Sequence, residues 1–252
     1  MKIKALLDSN VLLAASVFVA SIEDFDEPFK HDFHDHSINL IGLLKKNMGK
    51  RIGIVTKTIE DETHSVLNKV LIKTLQQFRP HMDMNAILRL GSHILGKCED
   101  RLESYLEILT REPIVPEIRG EWLRKVENLY NALDTLADLI NARITYAFKK
   151  SVYEAMLKQE QLKHKQLFRL KKKGADPTGQ AILAEAAYIF DFYSQTGDVK
   201  VYLASCDQAF SPIIGRNNGS RQVTDTIYQK FNIICHWPLN VARMIRKDLK
   251  SK

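Results

Sequence analysis

The chain has 252 residues, 45% of them hydrophobic and 27% charged, an ordinary globular balance with ample material for a core. No apolar stretch approaches the roughly 18 residues of a membrane span, and the short apolar run after Met1 is interrupted by an aspartate, so no secretory leader is expected; the expected location is the cytoplasm. Cys98, Cys206 and Cys235 are too few and too widely spaced for a disulfide framework or a CxxC zinc site, and a net charge of +7 favours contact with polyanions.

Taken in chain order, the run Ile3 to Leu7 reads as a buried strand that leads into Asp8-Ser9-Asn10, followed by a helix from Asn10 to about Ala20. A polar stretch then carries the cluster His31, Asp32, His34, Asp35 and His36, read as a loop and helix entry with contact to a substrate phosphate, because its spacing fits neither HExxH nor a zinc finger. A second strand spans Arg51 to Thr56. A helix opens near Thr58 with Glu60, Asp61 and Glu62 in its first turn, where acids complement the helix dipole.

From about Asn85 to Leu109 and from about Glu117 to Leu170 the apolar positions keep a helical period, so the middle of the chain, about 80–173, reads as an all-helical insertion. Asp176-Pro177 is an N-cap followed by a first-turn proline and opens a helix to about Tyr193. A strand at 200–204 leads into Ser205-Cys206-Asp207. A loop at 215–220, a helix near Asp225 to Phe231, a last strand at Asn232 to Cys235 and a basic terminal helix complete the chain. Strands this far apart cannot form hairpins, which implies parallel pairing with right-handed crossovers in an α/β domain.

Asp8 and Asp207 each follow a strand, and in an open α/β sheet ligands bind outside the carboxyl ends of the strands. Carboxylates converging there repel one another unless a cation sits between them. A hard divalent ion with oxygen ligands, Mg²⁺ or Mn²⁺, is the expected cofactor.

The positive charge is concentrated. Residues 143–173 hold ten Lys or Arg against two acids, a surplus of eight, so the rest of the chain sums to −1. Lys163, Lys165, Arg169, Lys171, Lys172 and Lys173 run up to Asp176 and read as a phosphate-tracking surface whose binding is nonspecific and salt-dependent.

The strand ending in Asp8-Ser9-Asn10-Val11-Leu12, the acids opening the helix after the second strand, and the strand ending in Ser205-Cys206-Asp207-Gln208-Ala209-Phe210 resemble the PIN-domain nucleases, whose first and last elements read approximately as D-[ST/x]-N-x-L and [TS]-x-D-x-x-F. The resemblance covers about residues 1–75 and 174–240. It implies a three-layer PIN-like α/β fold over 1–252, with a central parallel sheet of four or five strands flanked by helices and a helical insertion at about 80–173.

Carried over, the resemblance makes Asp8 the first metal-binding acid and Asp207 the fourth. The second is Glu62, a helical neighbour of Ile59, whereas Glu60 and Asp61 turn away. The third departs from the family's pattern, because the matching position is Gly179. Asp176 then stands as catalytic acid or simple N-cap, Glu185 on the same helix is the fallback, and without either the site has three acids.

The implied activity is metal-dependent hydrolysis of phosphodiester bonds, with single-stranded RNA as the expected polymer and 5′-phosphate and 3′-hydroxyl products. Asn10 and Ser205 would orient carboxylates or water. The helical insertion is expected to meet a second copy or a protein partner, and no membrane is involved. Two readings compete: a noncatalytic nucleic-acid-binding or assembly module with a decayed site, favoured by Gly179, and the toxin of a toxin-antitoxin pair. Other enzyme classes lack their signatures, since the chain has no GxxxxGK[ST] loop, no GxGxxG after the first strand and no GxSxG elbow.

Overall fold

In the computed structural model, which describes residues 1–16, 31–78, 84–126, 128, 177–206 and 227–251, the first apolar run forms strand β1 (Lys2–Leu7), buried at every position but the first. Such unbroken burial marks a central strand covered on both faces. Lys4 is the charged exception in it, and its Nζ donates to the Arg51 carbonyl at 2.8 Å, meeting the hydrogen-bonding need of a buried ammonium.

After β1 come α1 (Ser9–Ser16), α2 (His31–Lys46), a 3₁₀ turn (Met48–Lys50), β2 (Gly53–Thr56), α3 (Lys57–Phe78), α4 (Met84–Leu106) and β3 (Thr110–Glu112). Helical turns cover 116–126. The chain continues with α5 (Pro177–Ser194), β4 (Val199–Ala204), a helical turn at 227–231, β5 (Ile233–His236) and α6 (Pro238–Lys250). The five strands form one parallel sheet in the order β3-β2-β1-β4-β5, flanked by helices in a three-layer α/β arrangement.

Register follows from the ladder. Ala5 faces Gly53 and Leu6 faces Ile54 across β1 and β2, and Ile54, Val55 and Thr56 face Thr110, Arg111 and Glu112 across β2 and β3. The Lys2 N–H donates to the Asp198 carbonyl and the Asp8 N–H to that of Ala204; 198 − 2 and 204 − 8 are the same offset, which only a parallel β1–β4 pair maintains.

By contacts the chain divides into two compact units. The first comprises Met1–Lys2, Ile114–Leu203 and Asp207–His236. Within it α5 is buried almost continuously from Ala181 to Ala187, and Trp122 meets Phe231 edge-on with ring centroids 6.3 Å apart. The second comprises Ile3–Pro113, Ala204–Cys206 and Trp237–Lys252. There α1 packs against α2, α3 and α4, and α2 packs against α6. Leu6, Leu12, Leu40, Ile41, Ile54 and Ile59 are nearly inaccessible, each contributing about 1.5–3 kcal/mol by burial.

Two expectations change. The stretch read as all-helical contributes the edge strand β3, whose sequence Thr110-Arg111-Glu112 has no apolar alternation because an edge strand is paired on one side only. The histidine cluster lies within α2, not in a loop before it. His34 Nδ1 donates to the Ala14 carbonyl at 2.6 Å, and Phe33 meets Trp237 edge-on at 5.6 Å, so this turn anchors α2 to its neighbours.

Candidate functional site at the β1–β4 switch point

Leading outward from β1, the chain runs through β2 to β3 on one side, while β4 and β5 lie on the other. The order reverses between β1 and β4, and ligands of open α/β sheets bind at the carboxyl ends of the strands flanking such a reversal. Asp8 directly follows β1 and Ser205 directly follows β4.

The Asp8 N–H extends the ladder one step beyond β1 by donating to Ala204, and the Asp8 carbonyl accepts the Val11 N–H at 3.0 Å. Asp8 is thus the last rung of the sheet and the residue from which α1 begins. Its side chain, 4% exposed, receives the Ser205 hydroxyl at 2.6 Å and the Asn10 amide at 2.8 Å on Oδ2, with the Ser9 hydroxyl 3.3 Å from Oδ1.

The orientation of Asn10 is fixed by chemistry. The Cys206 backbone N–H can only donate, and it lies 2.8 Å from Asn10 Oδ1, so the amide nitrogen faces Asp8 and lies 3.1 Å from Ser205 Oγ. The Ser205 hydroxyl has one proton. Its Asp8 contact of 2.6 Å prevails over the 3.5 Å contact to Asn10 Oδ1. Asp8, Asn10 and Ser205 form a closed triangle, and Asn10 clamps the backbone leaving β4.

At the end of β2, the Thr56 hydroxyl accepts the Ile59 N–H at 3.4 Å and caps α3. Ile59 is buried and Glu62 is half-buried, with its Oε2 inside. Asp61 points outward to Lys57 Nζ at 2.8 Å, and this hydrogen bond chiefly raises the Lys57 ammonium above its ordinary value. Glu60 does not turn away as helical spacing alone suggests. It is 8% exposed and engages Arg111 of β3 at 3.5 Å and Lys57 at 3.7 Å. Arg111 also reaches Glu103 at 3.7 Å, and Glu103 reaches His64 at 3.2 Å, linking α3, β3 and α4. That network carries no sequence signal, because it depends on the strand that the pattern does not reveal.

Glu185 is buried in the middle of α5 and Gly179 is buried in its first turn. Asp176, Asp207 and the lysine-rich run Lys163, Lys165, Arg169, Lys171, Lys172 and Lys173 lie outside the described residues. Among the described residues no group of three or more His, Cys, Asp or Glu is placed to hold a metal ion. In kind, the Asp8 carboxylate fits a hard divalent cation: it is an oxygen ligand oriented by hydroxyl and amide donors that add no charge.

Neither family models, nor curated proteins, nor solved structures return a match to this chain.

Proposed function

We propose that this protein is a divalent-metal-dependent nuclease of PIN type that hydrolyses phosphodiester bonds, with single-stranded RNA as its polymer. The observation that carries this reading is the buried Asp8 carboxylate, held by Asn10 and Ser205 at the reversal of strand order. The parallel α/β fold is consistent with a PIN-like topology.

In this reading Asp8, Glu62, Asp176 and Asp207 hold Mg²⁺ or Mn²⁺. When bound, such an ion makes water nucleophilic near neutral pH and stabilises charge on the attacking and leaving phosphate oxygens. The chain's own contribution is positional. Ser205 and Asn10 keep the Asp8 oxygens in one orientation, burial of Asp8 limits its competing hydration, and the basic run from Lys163 to Lys173 tracks the polymer backbone.

A noncatalytic nucleic-acid-binding module is the second reading. Gly179, buried at the position matching the family's third acid, brings no carboxylate and favours it. Cleavage of end-labelled single-stranded RNA and DNA with Mn²⁺, Mg²⁺ or EDTA separates the two. Metal-dependent cutting that Asp8→Asn and Asp207→Asn both abolish supports the nuclease. Binding without cutting, or cutting that survives both substitutions, supports the binding module.

A further inference from the structure

Helix α6 presents Arg243, Arg246, Lys247 and Lys250 as exposed residues, spaced i, i+3, i+4 and i+7. At about 100° per residue they share one arc of roughly 100° and span about 11 Å along the axis. Every exposed position of the helix is cationic, while its acid, Asp248, is 7% exposed. Among the described residues no ion pair engages the four.

Helix α2 packs beside α6. Phe33 meets Trp237 at the start of both helices, and Arg246 donates to Asn39 farther along. Both contacts climb the two helices in the same sense, so α2 and α6 run parallel and their carboxyl ends lie at one edge. There α2 exposes Lys45 and Lys46. Lys45 and Lys46 thus belong to the same compact unit as the four cations of α6, and α2 also exposes an acid, Asp35.

Favourable interaction with the helix dipole accounts for cations in a last turn. It does not account for Arg243, nor for the exclusion of every other residue type from the exposed arc. We infer that the exposed cationic face of α6 is a binding surface for the phosphate backbone of single-stranded RNA, built from residues other than Asp8 and the basic run at 143–173. A membrane surface fits less well. A helix lying in a bilayer interface needs an exposed apolar face, and the apolar face of α6, with Val241, Ala242 and Ile245, is buried.

This surface does not depend on the nuclease reading, since its readout is binding alone, measured equally in Asp8→Asn. The test follows anisotropy of a labelled single-stranded RNA on the full chain as salt rises from about 50 to 200 mM. It compares wild type with Arg243→Gln/Lys247→Gln/Lys250→Gln, which leaves Arg246 on Asn39. A charge-matched control, Lys69→Gln/Arg89→Gln/Lys97→Gln, removes three exposed cations elsewhere.

The α6 variant is expected to bind more weakly, with the slope of log K against log salt shallower by about 2 for three lost contacts. The control keeps the wild-type slope, and Arg243→Lys/Lys247→Arg/Lys250→Arg restores binding. An unchanged α6 variant, or an equal effect in the control, overturns the inference. So does a variant that loses binding to phosphatidylserine vesicles while its RNA isotherm is unaltered. Unchanged thermal unfolding of each variant keeps the comparison on the surface.

Discussion

Ser205 donates its hydroxyl to Asp8 Oδ2 at 2.6 Å, joining residues 197 positions apart. Both are buried, Ser205 completely. A carboxylate inside a protein that loses a donor bears the desolvation cost of the unmet lone pair. Ser205→Ala is therefore expected to lower stability by about 1–3 kcal/mol, measured by urea unfolding. In the nuclease reading it also slows metal-dependent cleavage by about 10- to 100-fold, because Asp8 is no longer oriented. Wild-type stability in this variant would show that the contact does not hold the site.

Glu60 and Glu62 occupy adjacent helical positions with different surroundings. Glu60 is paired with Arg111 and Lys57, while Glu62 is half-buried beside Ile59. In the nuclease reading, Glu62→Gln is expected to abolish metal-dependent cleavage. Glu60→Gln should retain it and lose up to about 1 kcal/mol of stability, a modest figure because Arg111 and Lys57 are half-exposed or more. The opposite pattern in the cleavage assay would transfer the metal-binding role to Glu60.

A Cβ on Gly53 would stand 2.5 Å from Leu109 Cδ2 and 3.0 Å from Leu44 Cδ1. Both leucines are buried and line a cleft of about 150 Å³ beside Gly53, so the substitution forces them to shift from their packed positions. Gly53→Ala is expected to cost about 1–3 kcal/mol through overpacking where β2 begins, read as a lower midpoint of thermal unfolding. A neutral result would mean that the leucines repack without strain.

Burial pushes the His236 imidazole below its ordinary value of 6.5. The folded protein then resists protonation that the unfolded chain accepts, so the unfolded state binds more protons and stability rises with pH. The His236 contribution is complete above about pH 7 and is lost progressively as pH falls through about 6.5 toward the folded value. His236→Gln should flatten that part of a stability–pH profile obtained by denaturant unfolding. A slope identical to wild type would assign the dependence to other groups.

Much of the fold is legible in the chain because it rests on local rules. Ile3 to Leu7 is apolar at every position but Lys4, the near-continuous character of a doubly covered strand, and Pro177 at the start of α5 follows the first-turn rule. Asp8, Asn10 and Ser205 stand out as strand-end polar residues before any coordinate is known. Two features escape the same rules. Thr110-Arg111-Glu112 is short, polar and paired on one side, so it carries no periodic signal. The inward turn of Glu60 depends on Arg111 of that hidden strand.

The sequence by itself determined which residues end strands, which open helices and which acids are available for chemistry, since propensity and periodicity act over a few neighbouring residues. Only the tertiary structure decided that β1 lies beside β4, that Asn10 holds Asp8 and Cys206 together, and that α2 packs against α6. Those relationships join segments about 200 residues apart, and they arise from strand pairing and helix packing, which local pattern does not encode.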